Sequence, residues 1–175
     1  MAGPGRTEAL NQRLDALRAS TAMGEIALDQ SLIAPGLTLH CDPAAALSGH
    51  WASPAGRLVE LTVTPQHAGT WLALHVALDP GALAGATWIG FTCRSAAPQQ
   101  IVLRPCLRSG GTDGFTDCFF PRHILSLPEV LSHADAIHLP STPEVPPNAP
   151  WRELLLFLPC ADTAWHLHDL RLFAA

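Results

Sequence analysis

The 175-residue chain has no lysine and no tyrosine. All ten basic residues are arginines, and charged residues of both signs make up only 14% of the chain. Without lysine there is no Gly-Lys-Ser/Thr turn, so "RSGGTDGFTD" (108–117) is not a phosphate-cradling loop despite its glycines. Gly110, Gly111 and Gly114 are expected instead to supply positive φ in a hairpin. The arginines are dispersed and the net charge is −5, so the concentrated basic footprint of a nucleic-acid partner is absent. No apolar run approaches the roughly 18 residues of a membrane-spanning helix. The opening stretch, "MAGPGRTEALNQRLDALRAS", has no apolar core of the signal-peptide kind. Five cysteines (Cys41, Cys93, Cys106, Cys118 and Cys160) are an odd number without close pairs. They read as buried, reduced thiols of a cytoplasmic protein. Also missing are Gly-x-Ser-x-Gly, His-Glu-x-x-His and Gly-x-Gly-x-x-Gly. These absences place ligand recognition ahead of catalysis.

What is present is apolar and short-ranged. Hydrophobic residues make up 48% of the chain, which disfavours disorder. A chain of this length buries roughly 70% of its unfolded surface. Residues 7–20 predict one helix, with Thr7 as N-cap and Leu10, Leu14 and Leu17 on one stripe. That stripe either docks on the main domain or forms a dimer contact. From residue 31 onward, nine β-like runs follow one another, broken by Pro, Gly and Asp. No long helical pattern separates them, which argues against a parallel α/β sheet. The expectation is an all-β fold: an antiparallel β-sandwich, as a jelly roll, with a short N-terminal helix. Residues 1–30 form the N-terminal helical segment and 31–175 the β-sandwich domain. "STPEVPPNAP" (141–150) cannot join a ladder and should run extended over the surface.

Alternation assigns faces. Leu72, Leu74 and Val76 oppose Trp71, Ala73 and His75; Ile89, Phe91 and Cys93 oppose Trp88, Gly90, Thr92 and Arg94; Ile101 and Leu103 oppose Gln100, Val102 and Arg104. "RELLLFLP" is apolar on both faces, as a central strand would be. In "TAWHLHDLRLF" (163–173), Trp165 and Leu167 are out of phase with Leu170 and Leu172. A β-bulge near Asp169 restores the phase. The same stretch holds His166 and His168, a His-x-His pair of the kind that binds metal on jelly-roll barrels. The glutamate and later histidine of the cupin pattern do not follow, so two outward-facing strand histidines are expected instead. "HADAIH" (133–138) shows no recognised ligand spacing, and Cys118 near His123 reads as a core thiol.

A closing strand of the form apolar-x-apolar-x-Asp-apolar-x-apolar, after "ELLLFLP" and the turn "CADTA", resembles the end of galactose-binding-like jelly rolls. Many carbohydrate-binding modules share that ending. The paired Asp-Asp of the pattern is His168-Asp169 here. The resemblance implies non-catalytic binding of a glycan, on the sheet face not used for the core or on end loops. Such recognition needs aromatic planes and planar polar groups. The candidate ligand-binding residues are His75, Trp88, Arg94, Gln100, Arg104 and Asp117, and no catalytic residue is assigned. No cofactor is expected; Asp113 and Asp117 are two of the six to eight oxygens that a structural calcium would require. Asp113, His166 and His168 are the metal-ligand candidates. The alternatives are a protein-interaction or assembly subunit, as a homodimer or a partner in a larger complex, and a small jelly-roll enzyme with a His-containing site.

Overall fold

A computed structural model describes residues 7–79 and 81–175; the first six residues of the N-terminal segment and Pro80 lie outside them. In chain order, α1 (Glu8–Arg18) precedes β1 (Ala22–Glu25), β2 (Gln30–Ala34), β3 (Leu37–Cys41), β4 (Ser48–Ser53), β5 (Val59–Thr64) and β6 (Leu72–Ala77). Then follow β7 (Trp88–Ala96), β8 (Ile101–Gly111), β9 (Gly114–Phe119), β10 (Ile124–Ser126), β11 (Leu131–His138), β12 (Arg152–Leu158) and β13 (Thr163–Ala174). They form two antiparallel sheets. The six-stranded sheet runs β1-β4-β5-β13-β7-β11, and the seven-stranded sheet runs β10-β8-β12-β6-β3-β2, with β9 alongside β8. All nine β-like runs of the sequence are strands. β12, apolar on both faces, is central in its sheet, as is β13 in the other, each paired along both edges.

The inner faces carry the residues that phase assigned to the core, among them Leu72, Leu74, Phe91 and Trp165, all buried, together with Leu154 and Leu156 of β12. The phase slip in β13 is present as a register shift between Leu167 and Asp169 against β7. His168 is the extra residue, and the shift lets Trp165, Leu167, Leu170 and Leu172 all reach the core.

Helix α1 closes one end of the sandwich. Leu10, Leu14 and Leu17 are 2%, 4% and 7% exposed, inside the same cluster as the strands. Burying each contributes about 1.5–3 kcal/mol. Polar bonds fix the docking angle: Asn11 Nδ2 donates to Leu172 O at 2.8 Å, Leu172 N donates back to Asn11 Oδ1 at 3.0 Å, and Arg171 pairs with Asp15. The leucine stripe is therefore core, which removes it as a dimer contact. Thr7 does not cap the helix through its side chain; its hydroxyl donates to Leu172 O at 2.8 Å and ties the helix start to β13.

Three further differences from the sequence reading have local causes. β1 pairs with β4, so the sandwich begins at Ala22, inside the segment set apart as 1–30. β1, β2, β4 and β10 lack a clear apolar alternation or are very short. Their strand character comes from the neighbour that pairs with them. In the β8–β9 hairpin only Gly114 has positive φ (143°). Gly110 is required for a different reason: a Cβ there would fall inside the indole of Trp151. The proline-rich stretch connects β11 to β12 but is not wholly superficial. Val145 is buried, and the Arg152 guanidinium donates to Pro146 O at 2.6 Å and Ser109 Oγ at 2.6 Å.

Candidate functional site

Register, rather than sequence proximity, assembles a surface of mixed polar and aromatic side chains. On the solvent side of the seven-stranded sheet, β3 presents His40, β6 presents Ala73 and His75, and β12 presents Glu153, Leu155 and Phe157. β8 presents Arg104, Cys106 and Arg108, and β9 presents Phe115, Asp117 and Phe119. Ala73, Leu155 and Cys106 lie on this outward side yet are fully buried, because larger neighbours pave over them.

The paving is held by pairs across the strands. His75 Nδ1 lies 2.8 Å from Glu153 Oε2, and the His40 ring stacks on His75 with centroids 4.0 Å apart. Arg108 faces Glu153 on one side and Asp117 on the other. It bonds Asp117 in the bidentate manner, Nε to Oδ1 and Nη2 to Oδ2, both at 2.7 Å. The planar guanidinium matches a carboxylate in that geometry, and its face lies 3.6 Å from the Phe115 ring centre. Arg104 lies 4.1 Å over Phe119, whose ring is in turn 6.1 Å from Phe157. Phe115, Phe119 and Trp151 remain exposed and offer flat apolar surface beside these fixed polar groups.

The electrostatics follow from the pairing. His75, as hydrogen-bond partner, holds the Glu153 carboxyl below its ordinary value against the opposing effect of burial. Burial first, then the neighbouring His75, keeps His40 below the usual histidine value. Burial pushes the Cys106 thiol up to about 12, so it stays protonated and is no activated nucleophile.

Of the six candidate ligand-binding residues, His75, Arg104 and Asp117 share this face. Trp88 and Arg94 lie on β7, on the outer face of the opposite sheet, where Trp88 rests against His138 with ring centroids 4.5 Å apart. Gln100 is in the exposed turn before β8. Glu153, Arg108, His40 and the three phenylalanines complete the face. The sequence signal for them was parity within each strand, which sorts inward from outward but leaves the partners unnamed.

The metal candidates do not converge. Asp117 is held by Arg108, and Asp113 sits at the hairpin tip beside Thr112. Among the described residues, no group of three or more His, Cys, Asp or Glu side chains could hold a metal ion. In "HADAIH", His133 and Asp135 face inward and His138 outward. A cavity of about 750 Å³ lies elsewhere, against the proline-rich loop. Its lining, including Leu83, Leu139, Pro143 and Val145, has neither aromatic ring nor charged group. It therefore lacks the chemistry that the paved sheet face concentrates.

No protein-family model matches the chain, and no curated protein sequence matches it. Solved structures do resemble it. One is the CBM22-1 xylan-binding domain of Xyn10C from Paenibacillus barcinonensis, at TM-score 0.55 and 9% identity, covering 89% of this chain and 96% of that one. Another is the family 11 carbohydrate-binding module of the cellulosomal cellulase Lic26A-Cel5E from Clostridium thermocellum, at TM-score 0.53 and 14% identity, covering 88% and 96%. A CBM4 structure aligns at TM-score 0.53 and 10% identity over 71% of this chain and 75% of its own. At these identities the likeness is one of fold: the chain has the β-sandwich jelly roll found in carbohydrate-binding modules.

Proposed function

We propose that the protein binds carbohydrate without transforming it, on the outer face of the seven-stranded sheet. The observation that carries this reading is the coexistence there of exposed rings and pre-ordered polar groups. Phe115, Phe119 and Trp151 stand beside the His75–Glu153 and Arg108–Asp117 pairs. Pyranose rings present apolar C–H faces to aromatic planes and paired hydroxyls to planar polar groups. Groups already locked in place lose little entropy on binding. The jelly-roll likeness to carbohydrate-binding modules supports the same reading. A cytoplasmic setting belongs to this proposal, and the five free thiols are compatible with it.

The test is affinity electrophoresis of the whole chain against a panel of soluble polysaccharides, repeated with Phe119→Ala and Trp88→Ala. The proposal expects Phe119→Ala to weaken binding at least fivefold and Trp88→Ala to leave it unchanged. The reverse pattern would move the site to the opposite sheet, and no binding to any glycan would refute the reading.

A second reading, assembly with a protein partner, is favoured by one feature. Met23, Leu28 and Leu32 are 78%, 64% and 66% exposed along the side of the sandwich where β1 and β2 are the sheet edges. Light scattering over a concentration series tests it: a constant monomer mass removes self-assembly.

A further inference from the structure

One cation of the paved face has no carboxylate partner among the described residues. Glu153 is engaged by His75, and both oxygens of Asp117 are engaged by Arg108. Arg104, two outward rows further along β8, has no ion-pair partner among the described residues; the contact it makes is with the Phe119 ring. On the strand to its other side it faces Phe157, which is apolar. An exposed guanidinium thus stands over an aromatic ring with its donors directed to no carboxylate among the described residues. This unpaired cation belongs to a protein of net charge −5, whose remaining surface does not attract anions in general.

We infer that the glycan taken by this face is an acidic one, a polysaccharide of uronic-acid residues, with a sugar carboxylate seated against Arg104 while its ring stacks beside Phe119. The inference rests on the proposed reading that this face binds sugar. A carboxylate suits the guanidinium because the two are planar and can pair through two parallel N–H···O bonds. Phe119 holds the guanidinium from below, which leaves its edge for the ligand. Neutral glycans would offer that edge only hydroxyl acceptors, whose bonds to it are weaker than those of a carboxylate. Both carboxylates of the face lie beside Arg108, Asp117 bonded to it and Glu153 opposite it across the strand pair.

Three acidic polymers separate this inference from the reading beneath it: polygalacturonate, polymannuronate and polyglucuronate. Each is measured by affinity electrophoresis beside its carboxyl-reduced counterpart, in which every carboxylate has become a hydroxymethyl group. At low salt, at least one acidic polymer is expected to bind tenfold or more tightly than its reduced form, a ratio that shrinks as salt screens the pair. Arg104→Gln should abolish that ratio and Arg104→Lys should retain part of it, both melting within about 1 °C of the parent. Equal binding of acidic and reduced polymers, or a ratio that survives Arg104→Gln, overturns the inference and leaves carbohydrate binding standing. Binding of no polymer, acidic or neutral, overturns both.

Discussion

Asp117→Asn tests the architecture of the sheet face most directly. The parent pair consists of two charge-assisted hydrogen bonds at 2.7 Å, between side chains only 17% and 22% exposed. The asparagine keeps the shape but presents one oxygen and one NH₂ to a fork of two donors. One bond is then lost outright and a donor is left facing a donor. The guanidinium cannot readily turn to water, because the Phe115 ring lies against its face. A hydrogen bond to a charged group contributes about 1.5–3 kcal/mol, so the net loss should be about 2 kcal/mol. For a chain of this size that lowers Tm by about 4–8 °C. Thermal unfolding followed by circular dichroism measures it. The companion variant Arg108→Met/Asp117→Leu removes both partners together and leaves no orphaned donor, so it should be less destabilised than Asp117→Asn alone. A Tm change under about 1 °C for Asp117→Asn, or a double variant worse than the single, would refute the claim that the bridge holds the face.

Two further outcomes follow from other parts of the molecule. Leu14→Ala opens a cavity where α1 seals the core and should cost about 3 kcal/mol in urea unfolding; a loss under about 0.5 kcal/mol would show that the helix merely rests on the surface. Because His75 lowers the Glu153 carboxyl, Glu153 contributes stability that is complete above the unfolded glutamate value of about 4.3 and fades as pH falls through its lower folded value. Tm measured from pH 7 to pH 3 should therefore fall more steeply for the parent than for Glu153→Gln, and parallel curves would show that the pair carries no linked stability.

Much of the fold was legible because its causes are local. Parity in "WLALHVAL", "WIGFTCR" and "QIVLR" is dictated by the two-residue repeat of a strand, so each inner face could be read directly. The bulge near Asp169 was legible for the same reason, since two apolar sets out of phase can share one core only across an inserted residue. The weak strands β1, β2, β4 and β10 were not: "AMGE" or "ILS" becomes a strand only when a neighbour supplies the ladder.

For the candidate site the division is sharper. Sequence determined that His75, Trp88, Arg94 and Arg104 point away from the core, because parity along a strand separates the two faces. It held no information on which sheet a strand joins, because that depends on pairing between segments far apart in the chain. Tertiary structure put β6, β8 and β9 in one sheet and β7 in the other, so His75, Arg104 and Asp117 met while Trp88 and Arg94 went to the opposite side. It also brought Glu153, one carboxylate in an otherwise apolar run, to within 2.8 Å of an imidazole 78 residues away in the chain. Which outward residues become neighbours is a property of the strand order, and strand order is settled by the packing of the whole sandwich.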